Sequence, residues 1–349
     1  MEFWYALPAG LIVGALFGFI LQRGRFCMNS AFRDILLLKE FKLAKAVVVS
    51  LAVAMVGFAI FAINGVIDLA PSPLTIWGAI IGGLVFGIGM VLAAGCASGT
   101  TYRVGEGMMG SFVAAIGLTA GALMTGLGIL KQFKDDIQHF VIGEDGDPLT
   151  VFGAFDADLT PLLILIVGII GLALMFYFWG GWSALKRKKE AKEPLIKFDN
   201  FVESTFKKGY PWWATGILIG IIATVGYVAS NGVLGITGGW MDIERWFTTT
   251  NSIMWTGFII LGVILGSFIS AYIGGEFKFR VSKEGFTIVK QFIGGLLMGF
   301  GAVTAMGCNI TNILGGVPQL SLHSIITGVC IIAGSWIAAY FLFMWREKD

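Results

Sequence analysis

The segments GGLVFGIGMVLAAGC at residues 82–96 and GGLLMGFGAVTAMGC at residues 294–308 are two versions of one pattern. At an offset of 212 residues, nine of the fifteen aligned pairs are identical, and five of these nine are glycine pairs. Each segment is almost wholly apolar and ends on a cysteine. A match of this quality indicates an internal repeat, so the chain is predicted to contain two related structural units.

The composition around this repeat is that of a membrane protein. Hydrophobic residues make up 56% of the 349 residues and charged residues only 13%, with a mean hydropathy of +0.84, whereas soluble domains carry roughly 25% charge. Uncharged stretches of about 20 residues recur, long enough to cross roughly 30 Å of hydrocarbon. The alternating segments of about 10 residues that form membrane β-barrels are not evident. We therefore predict an all-α polytopic membrane protein.

Nine apolar stretches are candidate spans, and the charges between them predict how they are oriented. The spans lie near residues 4–22, 44–65, 75–96, 108–130, 160–182, 211–230, 251–275, 288–307 and 322–344. Lysine and arginine crowd the connections after the first and fifth spans, whereas seven aspartates and glutamates lie between residues 131 and 160. Basic connections stay in the cytoplasm. The N-terminus is therefore predicted outside and the C-terminus inside, with the lipid bilayer between them.

In this orientation the two copies of the repeat, in spans three and eight, cross the membrane in opposite directions. We predict two inverted pseudo-symmetric halves that contain broken or re-entrant segments. The first half is residues 1–130 and the second is residues 211–349, and residues 131–210 supply an outer acidic loop, a connecting span and a basic cytoplasmic linker. Many transporters build their site where two such halves meet.

Polar, glycine-broken sequence follows each repeated cysteine: CASGTTYRVGEG at residues 96–107 and CNITNILGGVPQ at residues 308–319. At membrane depth, broken backbone is tolerated only where it is buried in protein or lines a cavity. Each cysteine is therefore expected near a helix break, with helices that restart after Gly99 and Gly316. The glycines before the cysteines are explained equally well by close helix packing.

The cysteines are the first candidates for a functional site. Cys96 and Cys308 occupy equivalent positions, and a neutral thiol is a weak hydrogen-bond donor with a soft, polarizable surface suited to a sulfur-bearing anion. For Cys27, beside Arg25, the residues leave a role in a path and a role in the core equally open, because its weakly aligned counterpart is Gly235. Cys330 has an apolar setting and is interpreted as structural.

Polar residues beside these thiols extend the candidate site. The expected lining residues are Asn29, Ser98, Gly99, Thr100, Arg103, Asn309, Thr311 and Asn312. Arg25 and Arg103 either attract an anion or extend to the interface and set the topology, and both interpretations stay open. His323 is interpreted as a polar helix-end residue.

Several function classes are not favoured. No GxxxxGK[ST] motif is found, which argues against an ATP-driven pump, and the two histidines lie far apart in sequence. No cofactor, metal or nucleic-acid partner is expected. A thiol oxidoreductase would need a dithiol pair, and the sequence contains no CxxC. A simple membrane anchor has no need for polar broken spans.

Three blocks of the sequence together resemble the YeeE/YedE family of bacterial inner-membrane thiosulfate transporters: GRFCMNSAFRD at residues 24–34, GCASGTTYRVGEG at 95–107, and GCNITNILGG with QLSLHSIITG within 307–328. The resemblance implies that Cys27, Cys96 and Cys308 line a central path along which thiosulfate passes by S–H contacts without a covalent intermediate. It implies a non-enzymatic role at the inner membrane, and a small cytoplasmic sulfur-carrier protein as partner. A transporter or channel for another small sulfur or selenium anion remains the alternative.

Overall fold

The computed structural model describes residues 3–142, 148–154, 156, 158–179, 208–230, 232–248, 254–282 and 284–345. Within these ranges nine helical segments are long and apolar enough to cross a membrane, which confirms the predicted all-α polytopic fold. The strands of the described residues are two short antiparallel pairs, Leu74–Thr75 with Val141–Ile142 and Leu149–Thr150 with Gly153–Ala154. Of the basic linker at 186–208, only Lys208 is among the described residues. Residues 143–147 of the acidic loop also lie outside them.

The same order of helices occurs twice along the chain. The first set is α1 (Phe3–Arg23), α2 (Met28–Leu37), α3 (Lys42–Ile63), α4 (Ile76–Leu92), α5 (Ala97–Gly105) and α6 (Met109–Gly126). After α7 (Lys131–Gln138) and α8 (Thr160–Phe178), the second set is α9 (Trp212–Ser230), α10 (Ile236–Thr248), α11 (Trp255–Ile273), α12 (Gly285–Thr304), a π-helix (Ile310–Gly316) and α13 (Leu322–Ala339). A 3-10 turn (Val317–Gln319) precedes α13, and a second π-helical turn (Tyr340–Met344) extends it.

In each set the first, third, fourth and sixth helices are long, and the second and fifth are short. Each long helix lies five spans before its counterpart, so four spans lie between them, and an odd offset reverses the crossing direction. The two sets are thus inverted relative to each other. The residue boundaries 1–130, 131–210 and 211–349 stay a prediction.

The two sets pack on each other reciprocally. Helix α1 packs along α11 while α9 packs along α3, and α4 packs along α13 while α12 packs along α6. Helices α4 and α12, which carry the repeated glycines, also pack on each other. A Cβ on Gly89 would lie 2.7 Å from the carbonyl oxygen of Gly294, and a Cβ on Gly294 would lie 2.8 Å from the carbonyl oxygen of Gly89. These glycines let two backbones touch, as helix packing in a bilayer requires.

The long helices break just before the cysteines. Ala94 after α4 has φ 56° and Met306 after α12 has φ 55°, so both residues occupy the left-handed region that a side chain disfavours. Helix α5 then begins at Ala97 and the π-helix begins at Ile310. Helix α5 thus begins before Gly99, earlier than the sequence predicts. In the second half the π-helix is an additional element, and the 3-10 turn and α13 follow Gly316 as predicted.

Candidate functional site

Four short helices begin in equivalent ways, and three of them begin at a cysteine. The carbonyl of Cys27 accepts from the amide of Ala31, that of Cys96 from Thr100, that of Gly235 from Gly239, and that of Cys308 from Asn312. Cys27, Cys96 and Gly235 each directly precede the first residue of their helix, whereas Cys308 lies one residue before Asn309, the capping residue of the π-helix. The glycine that aligned weakly with Cys27 is thus its structural counterpart.

Side-chain contacts connect these helix starts to one another. Asn309 Nδ2 donates to Met28 Sδ at 3.0 Å, which links the residues that directly follow Cys308 and Cys27. Thr311 Oγ1 donates to the carbonyl of Leu234 at 3.3 Å, and Trp240 Nε1 donates to Thr101 Oγ1 at 2.9 Å. The helix starts therefore surround one central region, which we call the central site. Helix N-termini carry partial positive charge, so this arrangement favours an anion.

Two of the thiols in the central site are in direct contact. Cys27 Sγ lies 3.7 Å from Cys96 Sγ, although 69 residues separate them in sequence, and both side chains are buried. Cys96 Sγ also lies 3.5 Å from Ser98 Oγ and accepts from the amide of Gly99 at 3.3 Å. A Cβ on Gly99 would lie 2.6 Å from Cys27 Sγ and 3.2 Å from Cys96 Sγ. Only glycine fits beside this thiol pair.

The third thiol has a different environment. Cys308 is 1% exposed and its Sγ lies 3.6 Å from Thr311 Oγ1. Asn312 Nδ2 donates to the carbonyls of Ala305, Gly307 and Cys308 at 3.2, 2.8 and 3.4 Å, so this side chain holds the turn that carries the thiol.

Several buried polar atoms near the helix starts have no hydrogen-bond partner within the described residues. They are both amide atoms of Asn29, the hydroxyls of Thr100 and Thr237, and Oδ1 of Asn309. An unsatisfied buried donor or acceptor costs about 1–3 kcal/mol, so a native protein retains few without reason. Three of these atoms, Asn29 Nδ2 and the two hydroxyls, can donate to a small anion, whereas the two amide oxygens can only accept.

The two arginines of the sequence analysis have different partners. Arg103 donates to the carbonyl of Ala94 and lies over the ring of Tyr102. The Arg25 side chain is 68% exposed and forms a 2.9 Å ion pair with Glu276. Partial burial raises the pKa of the Glu276 carboxyl. Hydrogen bonds from Gln22 and Arg25, together with the arginine charges, outweigh this effect and hold the pKa of Glu276 below its usual value. Both arginines therefore have local partners, and their role in attracting an anion stays a prediction.

Sequence reasoning missed Met28, Thr237, Trp240 and the burial of His323, which is fully enclosed at the start of α13. Thr237 is two residues after Gly235, as Asn29 is two residues after Cys27, so a closer alignment of the two halves would have found it. For Trp240 the sequence carries no signal.

Cys330 packs against α4 beside Gly83. The described residues contain no group of three histidine, cysteine, aspartate or glutamate side chains placed to hold a metal.

Comparisons with known proteins identify the family of this chain. A family model described as sulphur transport matches residues 23–337. The thiosulfate transporter TsuA of Spirochaeta thermophila is 40% identical over 96% of this chain and 98% of its own. TsuA of Escherichia coli is 30% identical over 97% of this chain and 96% of its own. A probable transporter of Escherichia coli, YedE, is 31% identical over 47% of this chain and 40% of its own. The resemblance found in the three cysteine blocks is confirmed: this multi-pass membrane protein belongs to the sulphur-transport family.

Proposed function

We propose that this protein takes up thiosulfate across the bacterial inner membrane, with its N-terminus outside and its C-terminus in the cytoplasm. One observation carries the proposal: the contact between the thiols of Cys27 and Cys96 inside a buried site ringed by helix starts. The 40% identity to a thiosulfate transporter over nearly the whole chain supports the choice of substrate.

The inverted arrangement supplies an order for the thiols. Under the proposed topology α4 runs inward to Cys96 and α12 runs outward to Cys308. Thiosulfate therefore meets Cys308 first and then the pair Cys96 and Cys27. Each neutral thiol donates a weak S–H hydrogen bond to the anion. The contacts are strong enough to replace water and weak enough to release the ion, and no covalent bond forms.

The rest of the central site compensates the charge of the ion. The starts of α2, α5 and α10 present partial positive charge, while Asn29 and Thr100 offer donors that the protein leaves unused. Arg103 keeps its positive charge while it donates to the carbonyl of Ala94, in the turn before Cys96, and so adds to the attraction for the anion. The charge of Arg25 is paired with Glu276.

Beyond the central site the proposal includes three further elements. The two halves are residues 1–130 and 211–349, the chain acts as a transporter and not as an enzyme, and a small cytoplasmic sulfur-carrier protein receives the sulfur. Consumption of thiosulfate by that partner would supply a driving force. Binding of the carrier to membranes that contain this protein, and not to control membranes, would test the partnership.

Uptake in cells tests the main proposal. The protein is expressed in a bacterial strain that imports neither sulfate nor thiosulfate, with thiosulfate as sole sulfur source and the sulfur carrier co-expressed. Growth is expected for wild type and for the control Cys330→Ala, but not for Cys27→Ala, Cys96→Ala or Cys308→Ala. Membrane levels of each variant are measured by immunoblotting. Growth of all the cysteine variants would contradict the thiol path, and failure of wild type at normal levels would contradict the substrate.

The identity of the anion is tested by competition. Unlabelled sulfite, sulfate and selenite are added separately to an uptake assay with radiolabelled thiosulfate. Thiosulfate itself is expected to compete most strongly, and Cys96→Ser is expected to lower uptake because a hydroxyl lacks the soft sulfur surface. Stronger competition by one of the other anions would reassign the substrate.

A thiol oxidoreductase is a second candidate, favoured because the fold supplies the dithiol pair that the sequence lacks. Oxidoreductase chemistry needs Cys27 and Cys96 but has no need of Cys308. Cys308→Ala separates the two functions: it is expected to abolish uptake, whereas an oxidoreductase would keep its thiol-exchange activity and lose nothing.

A further inference from the structure

His323 has no role in the path described so far, yet it is fully buried within a membrane protein. Its side chain lies in the first turn of α13 and has 0% exposure. A buried imidazole is costly unless both ring nitrogens are hydrogen-bonded. The partners of this ring therefore indicate what it holds in place.

Both ring nitrogens have partners, and one partner fixes the tautomer. Nε2 lies 3.1 Å from the carbonyl oxygen of Ala305. A carbonyl only accepts, so Nε2 carries the proton. Nδ1 lies 3.4 Å from Thr75 Oγ1, the residue that precedes α4, and a neutral ring accepts there. His323 thus connects the start of α4 to the end of α12.

The carbonyl of Ala305 belongs to the turn that presents Cys308. This turn includes Met306 in its left-handed conformation. The same carbonyl accepts from Asn312 Nδ2, and Asn312 Oδ1 accepts from Ser324 Oγ at 3.1 Å. His323 and Ser324, neighbours on α13, therefore hold the turn from two sides. The equivalent turn in the first half is held by Arg103, which donates to the carbonyl of Ala94.

We propose that His323 is a positioning residue, which fixes the Ala305–Cys308 turn and so sets the place of the Cys308 thiol in the path. It acts through the backbone and does not touch the anion. Unlike Arg103 in the first half, the neutral His323 holds its turn without adding a charge to the site. The uptake measurement rests on the proposed function, whereas the labelling measurement does not depend on it.

The test measures each thiol separately in the full-length protein in membrane vesicles. N-ethylmaleimide is added, and the labelling rate of each of the four cysteines is read by peptide mass spectrometry. His323→Leu is expected to speed labelling of Cys308 by about tenfold, the effect of losing one buried hydrogen bond. Cys27, Cys96 and Cys330 serve as internal controls. Cys330 is the sharpest control, because it lies on the same helix as His323.

Two conservative variants distinguish positioning from general stability. Gln places its amide nitrogen near Nε2 and can still donate to Ala305, whereas Asn places its amide near Nδ1 and cannot. His323→Gln is therefore expected to keep the wild-type labelling rate, and His323→Asn to resemble His323→Leu. Equal Cys308 rates in the Gln and Asn variants would overturn the proposal, as would a parallel rise at all four cysteines. If His323→Leu does not reach the membrane, the Cys308 labelling rates of His323→Gln and His323→Asn still test the proposal.

Thiosulfate uptake is measured on the same vesicles. A raised KM with little change in maximal rate is expected for His323→Asn, with recovery in His323→Gln. If no vesicles transport thiosulfate but Cys308 labelling responds as stated, the proposed function is wrong and the positioning role stands. If transport is normal and Cys308 labelling does not respond, the positioning role is wrong and the proposed function stands.

Discussion

The two halves of the molecule share a backbone plan but differ in the chemistry at their breaks. In the first half Cys96 is in contact with a second thiol, that of Cys27. In the second half Cys308 lies beside the hydroxyl of Thr311, and Gly235 occupies the capping position that corresponds to Cys27. The left-handed φ values before Cys96 and Cys308 agree within one degree, 56° against 55°.

The difference shows that the repeat preserves backbone geometry and leaves side chains free to diverge. Because the halves are inverted, a side-chain difference between them becomes a difference between the two faces of the membrane. Under the proposed topology the inner part of the path has two thiols and the outer part has one. A symmetric scaffold therefore supports a path that is not symmetric.

The largest expected effect comes from Gly99→Ala. The new Cβ would lie 2.6 Å from Cys27 Sγ, so it must push the thiol pair apart inside a buried site. Uptake of thiosulfate is expected to fall to background. The second half carries Thr311 at the corresponding position, so this requirement for glycine belongs to the first half alone. Gly238→Ala is the matched control, since a Cβ there meets nothing within 4 Å. Normal uptake in Gly99→Ala would show that the thiol contact is not needed.

Oxidation tests the thiol contact directly. A disulfide requires the two sulfurs to approach to about 2.05 Å, a short movement from 3.7 Å. Copper phenanthroline is expected to join Cys27 to Cys96, to lower uptake severalfold, and to leave Cys308 reduced. Dithiothreitol should restore uptake. Peptide mapping identifies the bond, and a disulfide that involves Cys308 instead would reverse the assignment of the pair to the first half.

Gly235→Cys adds the thiol that the second half lacks. A Cβ at Gly235 meets only the methyl group of Thr256 at 3.7 Å, which is ordinary contact, so the substitution fits. Uptake is expected to stay within about threefold of wild type, since the change creates no clash. The same oxidant should join the new thiol to Cys308, as it joins Cys27 to Cys96. Failure of this bond to form would limit the symmetry of the halves to their backbones.

The smallest effect concerns the ends of the reciprocal helix pairs. The α1–α11 pair ends in charged residues, Arg25 with Glu276, whereas the α9–α3 pair ends in Tyr227, which donates to the carbonyl of Asp68. Because the pKa of Glu276 is lowered, its contribution to stability is present above its ordinary pKa of 4.5 and is lost as pH falls through the native value. Glu276→Gln is expected to lower Tm at pH 7 by on the order of 1–2 °C.

Thermal unfolding in detergent at several pH values checks this. The difference in Tm between Glu276→Gln and wild type should shrink below pH 4.5. Glu40→Gln, at an exposed pair with Lys42, is the control and should show no comparable difference at pH 7. A difference that grows on acidification would contradict the assigned direction of the pKa shift.

The sequence predicts the spans and the inverted repeat because both depend on composition and on a fixed offset, which a single chain displays. It also predicts that Cys96 and Cys308 lie at helix breaks. It does not predict that Cys27 contacts Cys96, since that contact depends on how two non-equivalent helix starts meet in space.

Other features depend on backbone detail that the sequence does not carry. The predicted restart after Gly99 is wrong, since α5 begins at Ala97, whereas a 3-10 turn and α13 do follow Gly316. The break before each cysteine is made by left-handed Ala94 or Met306, and the sequence does not mark these residues. The π-helical form of Ile310–Gly316 follows no simple residue pattern. The sequence marks His323 only as a polar helix-end residue, and its enclosure depends on partners in other helices.

The reciprocal packing of the helices also has a mechanical consequence. In many transporters with inverted repeats, one repeat rocks against the other about a hinge and exposes the substrate to each side in turn. Here α1 leaves its own half to pack on α11, and α9 leaves its half to pack on α3. Neither set of helices therefore packs by itself, and a movement that separated the first set from the second would break both pairs. Under the proposed function, a passage that keeps both pairs would depend on small movements of the four helix starts.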